Sequence, residues 1–187
     1  MTEHSDEELV RQCRAGDIKS FDLLVERHQR TVFNLALRMV RNSDDAADVA
    51  QSAFVKAYEN LERFDPRFKF FSWLYRIAVN ESLNALDQKK KFDGLDGVDV
   101  PADAAEEKDD EMIREEERIQ AGLMLLSVDQ RAVIVLKHMQ GLSYREIGQV
   151  LDLPEKTVKS RLFSARQTFK DILKKKGVRR NDRRRAS

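Results

Sequence analysis

The stretch EKTVKSRLFSAR, residues 155–166, carries the most chemically directed pattern in the 187-residue chain. Val158, Leu162, Ala165 and Phe169 recur at i, i+4, i+7 and i+11 and predict one apolar helical face. The opposite face carries Lys156, Lys159, Ser160, Phe163 and Ser164, flanked by Arg161 and Arg166. Ammonium, guanidinium and hydroxyl donors on one face suit DNA phosphates and the acceptor edges of the major groove. A purely solvated face has little use for Phe163, whereas a thymine methyl or a sugar gives that ring a contact. Upstream, Ser143 is placed to cap a short helix whose Ile147, Val150 and Leu151 face inward. Gly148 costs that helix about 1 kcal/mol relative to Ala, which points to close approach by a second helix. Asp152-Leu153-Pro154 then supplies a tight turn, with Pro154 suited to a helix start. The pattern is that of a helix-turn-helix. The plainer alternative is an amphipathic helix pair with a solvated basic face.

A second concentration lies in FDPRFKFFSWLYRIAVNESLNALDQKKK, residues 64–91. The chain has ten Phe, three Tyr and one Trp, and six of these rings (Phe64, Phe68, Phe70, Phe71, Trp73, Tyr75) crowd together here. Beside Arg67, Lys69, Arg76 and Lys89–Lys91 they could stack unpaired bases and track phosphates, each base–ring stack contributing about 1–3 kcal/mol. Trp73, Ile77, Asn80 and Asn84 share a helical face, and asparagines are poor core residues unless paired. An ordinary core with a basic rim fits the same residues, and some of Phe70, Phe71, Leu74 and Tyr75 must be core on either reading. Phe71, Leu74 and Ile77 are the expected anchors. In the preceding segment Val49, Ala50, Ala53 and Ala57 turn inward, while Asp44, Asp48, Gln51 and Val55 line an outer side. That side is either a solvated acidic face or a dock for a basic partner helix.

Helices must position these residues. Ser5 before Asp6-Glu7-Glu8 starts one that Gly16 ends. Asp17 caps a second, carrying Phe21, Leu24, Val25, His28, Val32, Leu35, Ala36 and Met39, and Asn42-Ser43 breaks it. Asp44-Asp45 opens a third through about Leu61. Phe64-Asp65-Pro66 makes a loop, and Ser72 is the expected N-cap of a helix from Trp73 to about Gln88. Residues 92–112, with two glycines, a proline and an acidic run, read as a flexible linker that precedes another helical module.

The expected fold is therefore all-α: two small helical domains joined by a flexible acidic linker, the C-terminal one containing the helix-turn-helix. The boundaries are 1–92, a linker at 93–114, 115–176, and a basic disordered tail at 177–187. Seven Gly and three Pro leave little room for a turn-rich β architecture. A net charge of +1 conceals a balance of −1 over residues 1–93, −9 over 94–117 and +11 over 118–187. Such segregation points to a polyanion-binding C-terminal module. One cysteine excludes an internal disulfide, and His4, His28 and His138 lack ligand spacing, so no metal is expected. Without a nucleophile–base set or a phosphate-cradling Gly loop, the sequence gives no sign of an enzyme or of a cofactor. No apolar run approaches the ~18 residues of a membrane span and the start is polar, so the expected location is the cytoplasm, with no membrane insertion.

Taken together, DDAADVAQSAFVKAYENLERFD, FFSWLYRIAVNESLNALDQKKK and LLSVDQRAVIVLKHMQGLSYREIGQVLDLPEKTVKSRLFSARQTF resemble the extracytoplasmic-function sigma factors of bacterial RNA polymerase. The resemblance covers about residues 5–92 and 115–173. It implies a first domain that binds the β′ clamp helices of core polymerase and captures and melts the promoter −10 element. It implies a second domain that binds the β-flap and reads the −35 element, with an anti-sigma factor as a further partner. Carried over by position, Asp48, Gln51 and Phe54 would belong to the clamp-helix surface. Phe64, Lys69, Phe70, Ser72, Trp73, Arg76 and Asn80 would hold the melted −10 strand. Lys156, Thr157, Lys159, Ser160, Arg161, Phe163 and Ser164 would meet the −35 duplex, with Tyr144 and Arg145 near its backbone. Some positions depart from the family pattern. Asp45-Ala46-Ala47-Asp48 and Gln51-Ser52 stand where Asp-Ala-Glu-Asp and Gln-Glu are common, and Leu126-Ser127 replaces Leu-Pro. Lys156 replaces a Gly and Ser164 an Arg. A stand-alone helix-turn-helix regulator and a protein-only adaptor are the competing readings.

Overall fold

The computed structural model describes residues 4–92 and 111–175, and every regular element among them is helical. The expected linker at 93–114 falls largely, and the expected tail at 177–187 wholly, outside the described residues. In the first half, α1 spans Asp6–Arg14, α2 Ile18–Val40, α3 Ser43–Glu59 and α4 Phe70–Phe92, with a 3₁₀ turn at Leu61–Arg63. In the second half, α5 spans Glu111–Met124, α6 Val128–Ile134, α7 Tyr144–Leu151 and α8 Glu155–Lys175. A π turn at Val135–Met139 continues α6.

Local side-chain chemistry sets most of the starts. Ser5 closes a capping box on α1: Glu8 N–H donates to Ser5 Oγ at 3.2 Å and Ser5 N–H to Glu8 Oε2 at 3.0 Å. Asp17 caps α2, Asn42 caps α3, Ser127 caps α6, and Ser143 with Glu146 forms a second box on α7. Ser72 is not the cap the sequence predicts. The fourth helix begins at Phe70, so Ser72 lies inside its first turn, buried, with its hydroxyl unpartnered. Packing decides that start: the Phe70 ring sits 5.7 Å from His28 and 5.7 Å from Phe64, which draws the chain into helix before Ser72. His28 is held in turn by Asp6 Oδ2 at 2.8 Å, and Arg27 by Asp6 Oδ1 at 2.6 Å. Burial raises the Asp6 pKa, but the His28 and Arg27 contacts outweigh it and leave the carboxyl below its usual value.

Leu9, Leu24, Val32, Leu35, Met39, Ala53, Phe70 and Leu74 from the first half and Leu123, Val133, Leu136, Ile147, Val158 and Leu162 from the second fill one continuous core. The two halves also touch. Helix α4 packs on α7, and α2 packs on α5, α6 and the π turn besides α1, α3 and α4. Arg131 of α6 is buried and donates to the carbonyls of Leu123, Met124 and Leu126 and, across the boundary, to Met39 at the end of α2. Burial lowers its pKa to about 10, so it remains a cation.

Candidate nucleic-acid interface

The second half presents its donors on one side of α8. Val158, Leu162 and Ala165 are buried and Phe169 is partly so, as the spacing predicts. Lys156, Lys159, Ser160 and Ser164 are exposed, and Phe163 is 67% exposed. Thr157 and Arg161 are half-buried. Arg161 pairs with Asp129 at 3.2 Å, and Ser160 Oγ donates to Thr157 O at 3.0 Å. The Tyr144 ring lies between two ammonium groups, Lys137 Nζ at 5.0 Å and Lys159 Nζ at 5.5 Å from its centroid, which fixes it beside the reading face with Arg145 exposed next to it.

The turn that aims α8 is tight. Asp152 adopts φ 55°, ψ 49°, the left-handed cap for which Asp is tolerated, and Leu153 N–H donates to Gly148 O at 2.9 Å. A Cβ on Gly148 would stand 2.6 Å from Leu153 O and 3.9 Å from Val158 Cγ2. The close neighbour of Gly148 is thus the turn carbonyl. The second helix the sequence suggests lies behind it.

On α4 the aromatic cluster divides. Phe64 and Phe70 are 2% and 1% exposed, and with the buried Ser72 they are core. The resemblance places these three at the melted strand; in the structure they lie beneath the exposed residues of α4. Leu74 and Tyr75 are buried too, whereas Phe71, Trp73 and Ile77 are half-buried. Trp73 leans on Phe64 and Phe70 at 5.4 and 5.9 Å and keeps part of its ring outside. Lys69, Arg76 and Asn80 are exposed, as is Phe68 at 42%, in the aromatic loop. Asn84 turns toward Glu81, 3.3 Å away, in a groove of about 470 Å³ between α3 and α4. On α3, Asp48 and Gln51 are exposed, but Phe54 is buried and supports that face without forming it.

Sequence reasoning missed two positioning groups. The Arg14 guanidinium donates to the carbonyls of Leu61, Glu62 and Phe64 at 2.6–3.1 Å, fixing the segment that leads into the aromatic loop. Arg131 organises the α5–α6 corner. Neither gives a periodic signal; an Arg in an otherwise inward-facing turn is the only clue, since Val10 and Cys13 beside Arg14 are buried.

A helix-turn-helix with an open basic face, beside a helical half carrying aromatics and cations over a packed core, defines an all-helical protein of the DNA-binding class. The chain matches the family Sigma-70 region 2 over residues 24–92 and Sigma-70, region 4 over residues 116–169. It is 36% identical over 192 residues to the RNA polymerase sigma-H factor of Pseudomonas aeruginosa, covering 92% of this chain and 96% of that one. It is 37% identical over 177 residues to the ECF RNA polymerase sigma-E factor of Escherichia coli K12, covering 88% and 92%. The solved structure of CnrH in complex with the cytosolic domain of CnrY superposes with a TM-score of 0.73 at 28% identity, over 92% of this chain and 99% of that one. The chain belongs to the extracytoplasmic-function sigma factors of RNA polymerase. It is an alternative sigma factor that directs transcription initiation, not an enzyme. Among the described residues no helix is long and apolar enough to cross a membrane.

Proposed function

We propose that the first domain, residues 1–92, docks on the β′ clamp helices of core polymerase through the outer side of α3 at Asp48 and Gln51, with Phe54 setting that helix from beneath. The exposed face of α4 then captures the melted −10 strand. Lys69 and Arg76 meet phosphates, Trp73 and Phe68 stack bases, and Asn80 hydrogen-bonds a base edge. Capture works by trapping bases that thermal opening exposes, so stacking offsets the cost of unpairing. The second domain, residues 115–176, binds the β-flap and lays α8 in the major groove of the −35 element. Lys156, Lys159, Ser160, Phe163 and Ser164 face the bases and phosphates with the half-buried Thr157 and Arg161 at the edge, Arg161 exchanging Asp129 for a phosphate, and Tyr144 and Arg145 flank the backbone. The observation that carries this reading is the open face of α8, where an exposed phenyl ring stands among cations and hydroxyls. The protein would act in the cytoplasm, with polymerase and chromosome.

In vitro transcription with core polymerase on a genomic library, followed by start-site mapping, tests the whole reading. Lys159→Ala plus Arg161→Ala should abolish promoter-specific starts while core binding persists. Retained starts would favour a protein-only adaptor. Promoter footprints that need no core enzyme would favour a stand-alone regulator. An anti-sigma partner is part of the proposal, supported by the CnrH structure, in which a chain of this fold is held by another protein. Purification from native cells that never yields a stoichiometric partner would count against it.

A further inference from the structure

One rim of α8 carries more charge than the residues assigned to the −35 duplex. Lys159, Phe163, Arg166 and Lys170 recur at i, i+4, i+7 and i+11 and are all exposed, so Arg166 continues the row two turns beyond Lys159. Arg166 Nε donates to His138 Nε2 of the π turn at 3.1 Å. Beside His138, Lys137 holds its ammonium over the Tyr144 ring and donates to Leu142 O at 2.9 Å. Arg166 differs from its neighbours on α8. Arg161 is neutralised by Asp129 and Lys159 by Glu155, whereas Arg166 is held by an imidazole. A ring nitrogen accepts a hydrogen bond only when it carries no proton, so His138 is neutral here and Arg166 keeps its full charge.

Burial first, then the charges of Arg166 and Lys137, hold the His138 pKa below its usual 6.5. Both of those neighbours are cations. The other charged groups on the elements packed against the π turn are engaged elsewhere or stand in solvent. Glu146 of α7 pairs with Lys69, Asp129 of α6 with Arg161, and Arg38 of α2 with Glu116. Arg131 of α6 donates to backbone carbonyls, Arg145 of α7 is exposed, and Arg41, the C-cap of α2, is partly buried.

We propose that Arg166 and His138 form a further phosphate site, which takes the sugar–phosphate backbone of duplex DNA and fills with the uptake of one proton by His138. The site rests on the placement of α8 in the major groove. A phosphodiester between the two groups replaces the imidazole as acceptor for Arg166. The freed Nε2 then takes a proton and donates to the same anion, whose charge offsets the two cations that oppose that proton in the free protein. The bound pKa therefore lies above the free one. Affinity rises as pH falls, beginning at the bound pKa and complete below the free one. One unit between the two values corresponds to about tenfold in affinity.

The test uses the full chain and a fluorescein-labelled random-sequence duplex of about 30 bp, read by anisotropy between about pH 8 and pH 5.5 over a range of salt. The parent should bind about tenfold more tightly at the acid end, with a log–log salt slope steeper by about 0.9. His138→Gln keeps an uncharged acceptor and should lose the pH response while keeping the alkaline affinity. His138→Arg fixes the charge and should bind at the alkaline end nearly as the parent does at the acid end. Arg166→Ala should flatten the acid salt slope by about 0.9. His4 and His28 are common to every variant, so a response lost with His138 belongs to His138. A parent whose affinity ignores pH, or a response that survives His138→Gln, overturns the proposal. Lys156→Ala with Lys159→Ala separates that failure from failure of the underlying reading, because it should weaken duplex binding across the whole pH range. If that variant binds as the parent does, the placement of α8 has failed and the site falls with it.

Discussion

Gly148→Ala reads out how the helix-turn-helix is aimed. In an ordinary helix this substitution stabilises by about 1 kcal/mol, because Ala loses less backbone entropy than Gly. Here the new methyl would stand 2.6 Å from Leu153 O, inside contact distance, and the atom it meets is turn backbone. The turn has little room to retreat, since Leu153 N–H is bonded to Gly148 O and Val158 packs behind it. Overpacking of this kind costs about 1–3 kcal/mol, and a backbone collision belongs at or above the upper end. After subtracting the gain in propensity, the net loss is about 2 kcal/mol. Urea unfolding of the full chain, followed by circular dichroism, should show a midpoint lower by about 1 M. Gln149→Ala, half-buried one residue on, should change stability by less than about 0.5 kcal/mol. Because the turn also sets the direction of α8, −35 duplex affinity should fall by more than the unfolded fraction explains. A Gly148→Ala protein as stable as the parent, or more so, would refute the reasoning.

Other outcomes follow from the same geometry. Arg14→Lys keeps the charge but loses the fork that holds three carbonyls; open-complex formation should slow severalfold while binding to core polymerase is unchanged. Glu146 is held at a pKa of about 2, against an ordinary 4.5, chiefly by the Lys69 hydrogen bond and then by Ser143 N–H. A depressed carboxylate stabilises above its unfolded pKa. Its contribution should therefore be complete above about pH 4.5 and disappear as pH falls toward 2, and Glu146→Gln should flatten that part of an acid-unfolding curve. Trp73→Ala should lower open-complex yield while core binding persists; an equal fall in both would make the ring purely structural. It should also cost about 1–3 kcal/mol in urea unfolding, since the ring leans on Phe64 and Phe70.

Features fixed by neighbours in the chain were legible from sequence. The caps at Ser5, Asp17 and Ser143 are bonds between residues two or three apart, and the buried side of α8 follows from helical spacing alone. Features fixed across the chain were not. Whether Phe70 or Phe71 goes inward depends on where His28 and Phe64 lie, and that same contact moved the helix start past the expected cap at Ser72. The small residue at Gly148 signalled crowding, but the identity of the crowding atom depends on a left-handed Asp152, which Asp-Leu-Pro does not announce. The Lys69–Glu146 and Arg76–Asp152 pairs join residues 77 and 76 positions apart, and nothing local marks them.

The length of α2 bears on how the protein melts. One 23-residue helix lies against partners from both halves of the chain, so it joins them in one core while the halves are together. Closed, the molecule should behave as one cooperative unit; once α5, α6 and α7 leave α2 and α4, it becomes two units of separate stability. A calorimetric scan of the free protein should then give one endotherm at low salt and two when the carboxylates of α7 are neutralised. In this fold, the number of thermal transitions reports whether the two halves are packed together or apart.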